Sequence, residues 1–138
     1  MTYRFVDTSA WYAAMDRADR NHARATDLLD EDASRILTDH VLIETWRLAA
    51  HRLGWAVAEQ FFDKVRRGIA QVEGVTAADR EHAWATGQAF TDQQFALADR
   101  TSFAVMERLG IEQVITFDHD FAVYRYGQDR RRAFTILR

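Results

Sequence analysis

Apolar residues recur along this chain in two rhythms, and the switches between them divide it into short strands and longer helices. Tyr3-Arg4-Phe5-Val6 reads as an opening strand that runs straight into Asp7-Thr8-Ser9. Ala10 to Asp16 follows as a short helix with Trp11, Tyr12 and Met15 inward. Asp19 to Asp32 predicts a second helix, with His22, Ala25, Leu28 and Leu29 at helical spacing. Arg35 to Thr38 is a brief strand. Asp39 to Arg52 is a strongly apolar helix stopped by Gly54, and Trp55 to Arg67 is another, with Val57, Phe61, Phe62 and Val65 on one side. Ile69 to Val75 alternates as a strand, weakened at its end by Gly74.

Thr76 to Phe90 is helical, and Asp79 stands three residues after Thr76 as in a capping box. Thr91 to Leu97 is a loop. Ala98 to Leu109 is a helix that ends on Gly110, with Ile111 placed to close a Schellman-type cap. Gln113 to Thr116 is a strand, Phe117 to Phe121 a loop, and Ala133 to Ile136 a last strand. Strands alternate with helices throughout, without proline, repeat or linker. The expected class is therefore α/β: parallel βαβ units in a three-layer α/β/α sandwich, as one domain over residues 1–138.

Composition narrows the chemistry more than the fold. Hydrophobic residues make up 48% of the 138 positions, enough for one sizeable core. There is no cysteine, which removes disulfides and thiolate metal sites and fits a reducing, cytoplasmic setting. No run of about 18 apolar residues is present, so no membrane span is expected. Met1-Thr2-Tyr3-Arg4 also lacks the apolar core of a signal peptide. The net charge of −3 does not advertise nucleic-acid binding, but carboxylates that hold cations count here as bare negative charge.

Four acids stand where carboxylates do chemistry. Asp7 and Asp118 each follow an apolar strand directly, at the carboxyl end where α/β proteins bind ligands. For Asp7 the plain alternative is a helix N-cap. Glu44 shares a face with Val41 and Leu48 on a helix apolar over most of its circumference, so it is expected to be at least partly buried and to need a cation or donors. Asp99 begins its helix on the Phe103/Met106 face. Asp92 lies in the preceding loop as a possible reinforcement, and Asp120 reads mainly as a cap for the next turn.

Carboxylates converging on one cleft repel strongly unless cations bind. Oxygen ligands without cysteine select Mg²⁺ or Mn²⁺, and such a site suits phosphodiester hydrolysis by metal-activated water. Thr8, Ser9 and Thr116 are hydroxyls placed to orient carboxylates or water, and the capping of the first helix is expected to fall to Thr8 or Ser9.

These pieces, in this order, resemble a known family. Val6-Asp7-Thr8-Ser9, Glu44 in its apolar helix, the run Asp99 to Met106, and Thr116-Phe117-Asp118-His119-Asp120-Phe121 are similar to PIN domains, most of all to VapC-type ribonuclease toxins. The resemblance implies a mostly parallel central sheet of about five strands. It implies Mg²⁺- or Mn²⁺-dependent cleavage of single-stranded RNA, with Asp7, Glu44, Asp99 and Asp118 as the metal-site acids and Thr116 in support. It also implies a homodimer, and a small antitoxin that silences the cleft. One departure stands out: where the family often shows Ser-Leu-Thr-Asp, this chain has Ala96-Leu97-Ala98-Asp99. Losing a hydroxyl from the cap position should cost roughly 0.5–2 kcal/mol.

Rival chemistries lack their parts. Ser9 has no Gly-x-Ser-x-Gly elbow, and no Gly-rich turn follows the first strand. A receiver-like domain wants a lysine near its last strands, and Lys64 is the only lysine. His40 and Glu44, at i and i+4, lack a second histidine at ligand spacing. A binding module that kept the acids, or another metal-dependent phosphoesterase such as a DNA nuclease, remains the alternative. Late in the chain Arg125, Arg130, Arg131 and Arg132 either follow an RNA backbone or form a solvated tail. The tryptophans are expected in the core or on a dimer face.

Overall fold

The opening strand, β1 (Tyr3–Val6), lies in the middle of a five-stranded sheet of order β3-β2-β1-β4-β5. Its partners are β2 (Ser34–Thr38) and β4 (Gln113–Ile115), both parallel to it. β3 (Gln71–Glu73) and β5 (Thr135–Leu137) form the edges, also parallel. The chain thus builds outward from β1 in one direction, through β2 and β3, and returns to build the other side. That reversal puts a switch point between β1 and β4, the place where open α/β sheets form their ligand crevice. The computed structural model describes residues 2–138.

Phe5, Val6, Ile36, Leu37, Val114 and Ile115 are all buried, as central parallel strands covered on both faces require. Each such side chain contributes roughly 1.5–3 kcal/mol by leaving water. The cover comes from α1 (Thr8–Met15), α2 (His22–Asp30), α3 (Asp39–Leu53), α4 (Trp55–Arg66), α5 (Ala77–Ala89) and α6 (Leu97–Leu109). A one-turn helix, α7 (Asp120–Val123), stands where a plain loop was expected. The expected three-layer α/β class holds, with every strand pair parallel.

Several boundaries shift for local reasons. α1 begins two residues before the expected Ala10, because Asp7 caps it. α2 begins at His22 rather than Asp19, since the side chains of Asp16 and Asp19 bind the amides of Ala18 and Asn21 in tight turns. β3 keeps only three residues of the expected seven, the part that meets Ile36 to Thr38. β5 starts at Thr135 rather than Ala133, because Phe134 turns into an aromatic cluster with Tyr124 and Tyr126. The expected caps are present: Thr76 and Asp79 form a reciprocal capping box, and Ile111 N–H closes α6 onto the Met106 carbonyl at 2.9 Å past left-handed Gly110.

The helix faces also differ in detail. Phe62 is exposed, and α4 buries Ala58, Phe61 and Val65 instead. Trp11 is buried and Trp46 half-buried, whereas Trp55 and Trp84 lie open to solvent. Among the described residues no helix is long and apolar enough to cross a membrane.

Candidate active site

Asp7 and Asp118 meet because their strands pair. The β1–β4 register sets Val6 against Ile115, so the next positions are Asp7 and Thr116. The Asp7 amide continues the ladder to the Ile115 carbonyl at 3.1 Å. Thr116 Oγ1 donates to Asp7 Oδ2 at 3.0 Å and accepts from the Asp118 amide at 3.0 Å. Ser9 Oγ donates to the same Asp7 oxygen at 2.9 Å and accepts from the Phe117 amide at 2.9 Å. Two hydroxyls therefore fix one carboxylate and the turn that carries the other.

Asp99 reaches this corner from α6, where it sits in the first turn and is buried. Phe103, one turn further, packs edge-on against Phe121 with ring centres 5.0 Å apart. Phe121 follows Asp120, so that aromatic contact brings the starts of α6 and α7 together. Asp99, Asp118 and Asp120 consequently offer carboxylate oxygens within 4.8 Å of one another. The Asp118 side chain accepts from the Asp120 amide at 2.9 Å, closing a tight turn just ahead of α7.

Glu44 arrives by a different tether. Thr8 Oγ1 donates to Glu44 Oε1 at 2.5 Å, and Thr45 Oγ1 donates to Thr8 Oγ1 at 3.1 Å. Glu44 is exposed, contrary to the expected partial burial. The buried face of α3 is Val41, Thr45 and Ala49, and Glu44 lies one position off it, on the rim.

The electrostatics are those of an uncompensated cluster. Among the described residues no ion pair reaches Asp7, Glu44, Asp99, Asp118 or Asp120. Burial pushes the Asp7 carboxyl up to about 6; the Ser9 and Thr116 hydroxyls oppose the rise, and Asp118 and Glu44 add to it. Asp99 is pushed far above the usual carboxylate range, first by burial and then by Asp7, Asp118 and Asp120. Asp120 is raised as well, by burial and by Asp118.

Three further sequence expectations change at this site. Asp7 is itself the N-cap of α1, its Oδ2 accepting from Ser9 N at 3.4 Å, so capping does not pass to Thr8 or Ser9. Asp120 belongs to the acid cluster and does not cap the turn as expected: it is the first residue of α7, and its amide donates to Asp118 Oδ1. Asp92 lies exposed, accepting from Gln93 Nε2 at 3.3 Å, and is not among the acids that bear on Asp7, Asp99 or Asp120. Thr45 escaped notice, although a lone hydroxyl beside Glu44 on an otherwise apolar face was its signal.

Three of the four late arginines are pinned to the body. Arg125 Nη1 donates to the carbonyls of Ala122, Val123 and Tyr124, closing the end of α7. Arg130 lies over the Phe90 ring at 4.7 Å. Arg132 lies over Tyr126 at 5.0 Å and pairs with Glu112 at 3.0 Å. Arg131 is exposed.

Comparison with known proteins finds relatives over nearly the whole chain. The sequence profile described as "PIN domain" matches residues 4–125. The 23S rRNA-specific endonuclease VapC20 of Mycobacterium tuberculosis is 36% identical over 127 residues, which is 91% of this chain and 97% of that protein. Its crystal structure, described as a sarcin–ricin loop cleaving toxin, superposes with a TM-score of 0.81 at 34% identity, covering 88% of this chain and 94% of that one. Ribonuclease VapC26 of the same organism is 26% identical over 135 residues, covering 96% and 98%. VapBC2 from Rickettsia felis, bound to a promoter DNA fragment, shares the fold with a TM-score of 0.66 at 10% identity, covering 89% and 92%.

Proposed function

Because this chain belongs to the PIN-domain family, we propose that it is a divalent-metal-dependent endoribonuclease of the VapC type, the toxin of a toxin–antitoxin pair. The observation that carries the reading is the corner where Asp7, Asp99, Asp118 and Asp120 converge without a countercharge. The donor set is oxygen alone, which fits Mg²⁺ or Mn²⁺. Asp7, Asp99 and Asp118 would hold the ion, with Asp120 beside them and Glu44 at the rim. When bound, the ion would supply activation of water and charge neutralisation at the leaving oxygen of a phosphodiester.

The chain's own residues do the rest. Ser9 and Thr116 orient Asp7 by occupying Oδ2, which leaves Oδ1 outside their network. Thr8, itself held by Thr45, aims Glu44 across the cleft mouth. Burial and the neighbouring carboxylates favour a proton on Asp99, which a bound cation would displace. The buried floor of Phe103 and Phe121 keeps the lower side of the cluster dry, which strengthens every charge interaction there.

The relatives' named substrates make RNA the substrate class, with exposed nucleotides of a structured rRNA loop the first target to try. The partner is inferred as a small antitoxin, on the strength of the VapBC fold neighbour. A groove between α1, α2 and α4 offers it a seat: Trp11, Met15, Leu29, Val57 and Phe61 line it, with Arg17 and Lys64 at its edge. Homodimer formation, a cytoplasmic setting and RNA contact by Arg125, Arg130, Arg131 and Arg132 complete the proposal.

Purified protein incubated with rRNA fragments and Mn²⁺ or Mg²⁺, with and without EDTA, tests it. Discrete cleavage lost on chelation is the expected result.

A further inference from the structure

α6 begins without a side-chain cap: Ala96 occupies the N-cap and has nothing to offer its amides. Asp99 rides in that uncapped first turn. A catalytic constellation must be held to within about 0.5 Å of its productive geometry, so the turn needs another anchor.

Arg100, the next residue, provides one. Its Nε donates to the Phe95 carbonyl at 3.0 Å, closing the preceding loop onto the helix. Its Nη1 donates to the Ala83 carbonyl of α5 at 3.0 Å, tying the start of α6 to its neighbour. A carbonyl inside a helix is ordinarily screened by the side chain one turn on. Here that residue is Gly87, where a Cβ would overlap Arg100 Nη1 and lie 3.0 Å from Cζ.

Gly87 does not have the positive φ of Gly54, Gly68, Gly110 and Gly127, so its backbone does not call for glycine. A glycine inside a helix costs roughly 1 kcal/mol against alanine. The space it leaves is filled by the guanidinium. Arg100 makes none of the ion pairs among the described residues, and both of these contacts go to main-chain carbonyls. The far end of the α5–α6 pair is fixed separately, by Arg108 Nε and Nη2 on the two Asp79 oxygens at 3.0 Å each.

We propose that Arg100, seated over Gly87, is a positioning residue that holds Asp99 in register with the acids at the strand ends, in place of the missing cap. This rests on reading Asp99 as a cation-site acid.

Mn²⁺ binding to the full chain by calorimetry, with circular dichroism and melting curves alongside, tests it on wild type, Arg100→Met, Gly87→Ala and the double variant. Arg100→Met and Gly87→Ala each weaken Mn²⁺ binding about tenfold while the fold persists, as loss of a residue behind metal ligands does. The double variant binds no more weakly than Arg100→Met, because the added methyl no longer meets a guanidinium. Arg100→Lys, which keeps one donor, falls between. Should Arg100→Met not fold, Gly87→Ala carries the test, since a displaced guanidinium can swing into solvent. Wild-type Mn²⁺ affinity in Gly87→Ala, or additive losses in the double variant, overturns the proposal alone. No Mn²⁺ binding by wild type overturns the cation-site reading and this proposal with it.

Discussion

Thr116 Oγ1 and Asp7 Oδ2 lie 3.0 Å apart, a hydrogen bond that links the carboxyl ends of β4 and β1 across the switch point of the sheet. The same hydroxyl accepts the Asp118 amide, so one side chain positions two of the acids. Thr116 is fully buried, and removing it strands both groups. Thr116→Val should therefore cost on the order of 1–3 kcal/mol of stability. It should also raise the Asp7 pKa further, since this hydroxyl is one of the two groups that lower it. Carboxyl titration by NMR checks the second point, and a pKa that stays put would contradict it.

Asp7 also makes a statement about pH. Its carboxyl titrates near 3.8 when unperturbed and about 6 in the folded, metal-free chain. Between those values the folded state binds the extra proton, so stability falls as pH rises through that window. The difference is on the order of 3 kcal/mol. Asp7→Asn removes this contribution. The metal-free variant should gain on wild type as pH rises from 4 to 7, about level at the acid end and more stable at neutrality. Chemical denaturation in EDTA across that range measures it, and a wild-type advantage at pH 7 would refute the assignment.

Glu44 depends on a chain of two threonines. Thr8→Val removes the donor that holds Glu44 Oε1 and leaves an exposed carboxylate free to rotate. Divalent-metal affinity or turnover should drop about tenfold, and the stranded Thr45 hydroxyl should cost roughly 1–3 kcal/mol of stability. Thr45→Val, acting through Thr8, should give a smaller loss. Equal turnover by wild type and Thr8→Val would leave Glu44 without a role that needs orienting.

The arginine segment separates into anchored and open members. Arg131 is exposed and Arg130 lies on Phe90 at the surface, whereas Arg132 pairs with Glu112 and lies over Tyr126. Arg130→Ala with Arg131→Ala should weaken RNA binding and lower the salt slope by about one to two. Arg132→Ala should mainly loosen the tail. An unchanged salt dependence would assign the segment to structure.

Much of this site was legible because local and global signals agreed. Val6 into Asp7 and Ile115 through Thr116 into Asp118 are strand ends that announce themselves by an apolar run meeting an acid. Asp120 looks like a turn cap in sequence, but the carboxylate that accepts in that turn is Asp118's. What the sequence could not display is that Phe121 packs on Phe103 and so carries Asp120 to Asp99. Glu44 looked buried because its helix is apolar overall, but burial follows the single face of Val41, Thr45 and Ala49. The Arg100–Gly87 and Arg132–Glu112 contacts span 13 and 20 positions, beyond the reach of periodicity. β5 began late for a similar reason, as Phe134 answered to Tyr124 and Tyr126 rather than to its own strand.

The central claim is that Asp7 belongs to a cation site that cleaves RNA. Its most direct test is the rate of Mg²⁺- or Mn²⁺-dependent cleavage of an rRNA loop by purified wild type and Asp7→Asn, both shown to be folded. Cleavage by wild type and none by the variant is the expected result. Equal cleavage by the two proteins would contradict a role for Asp7.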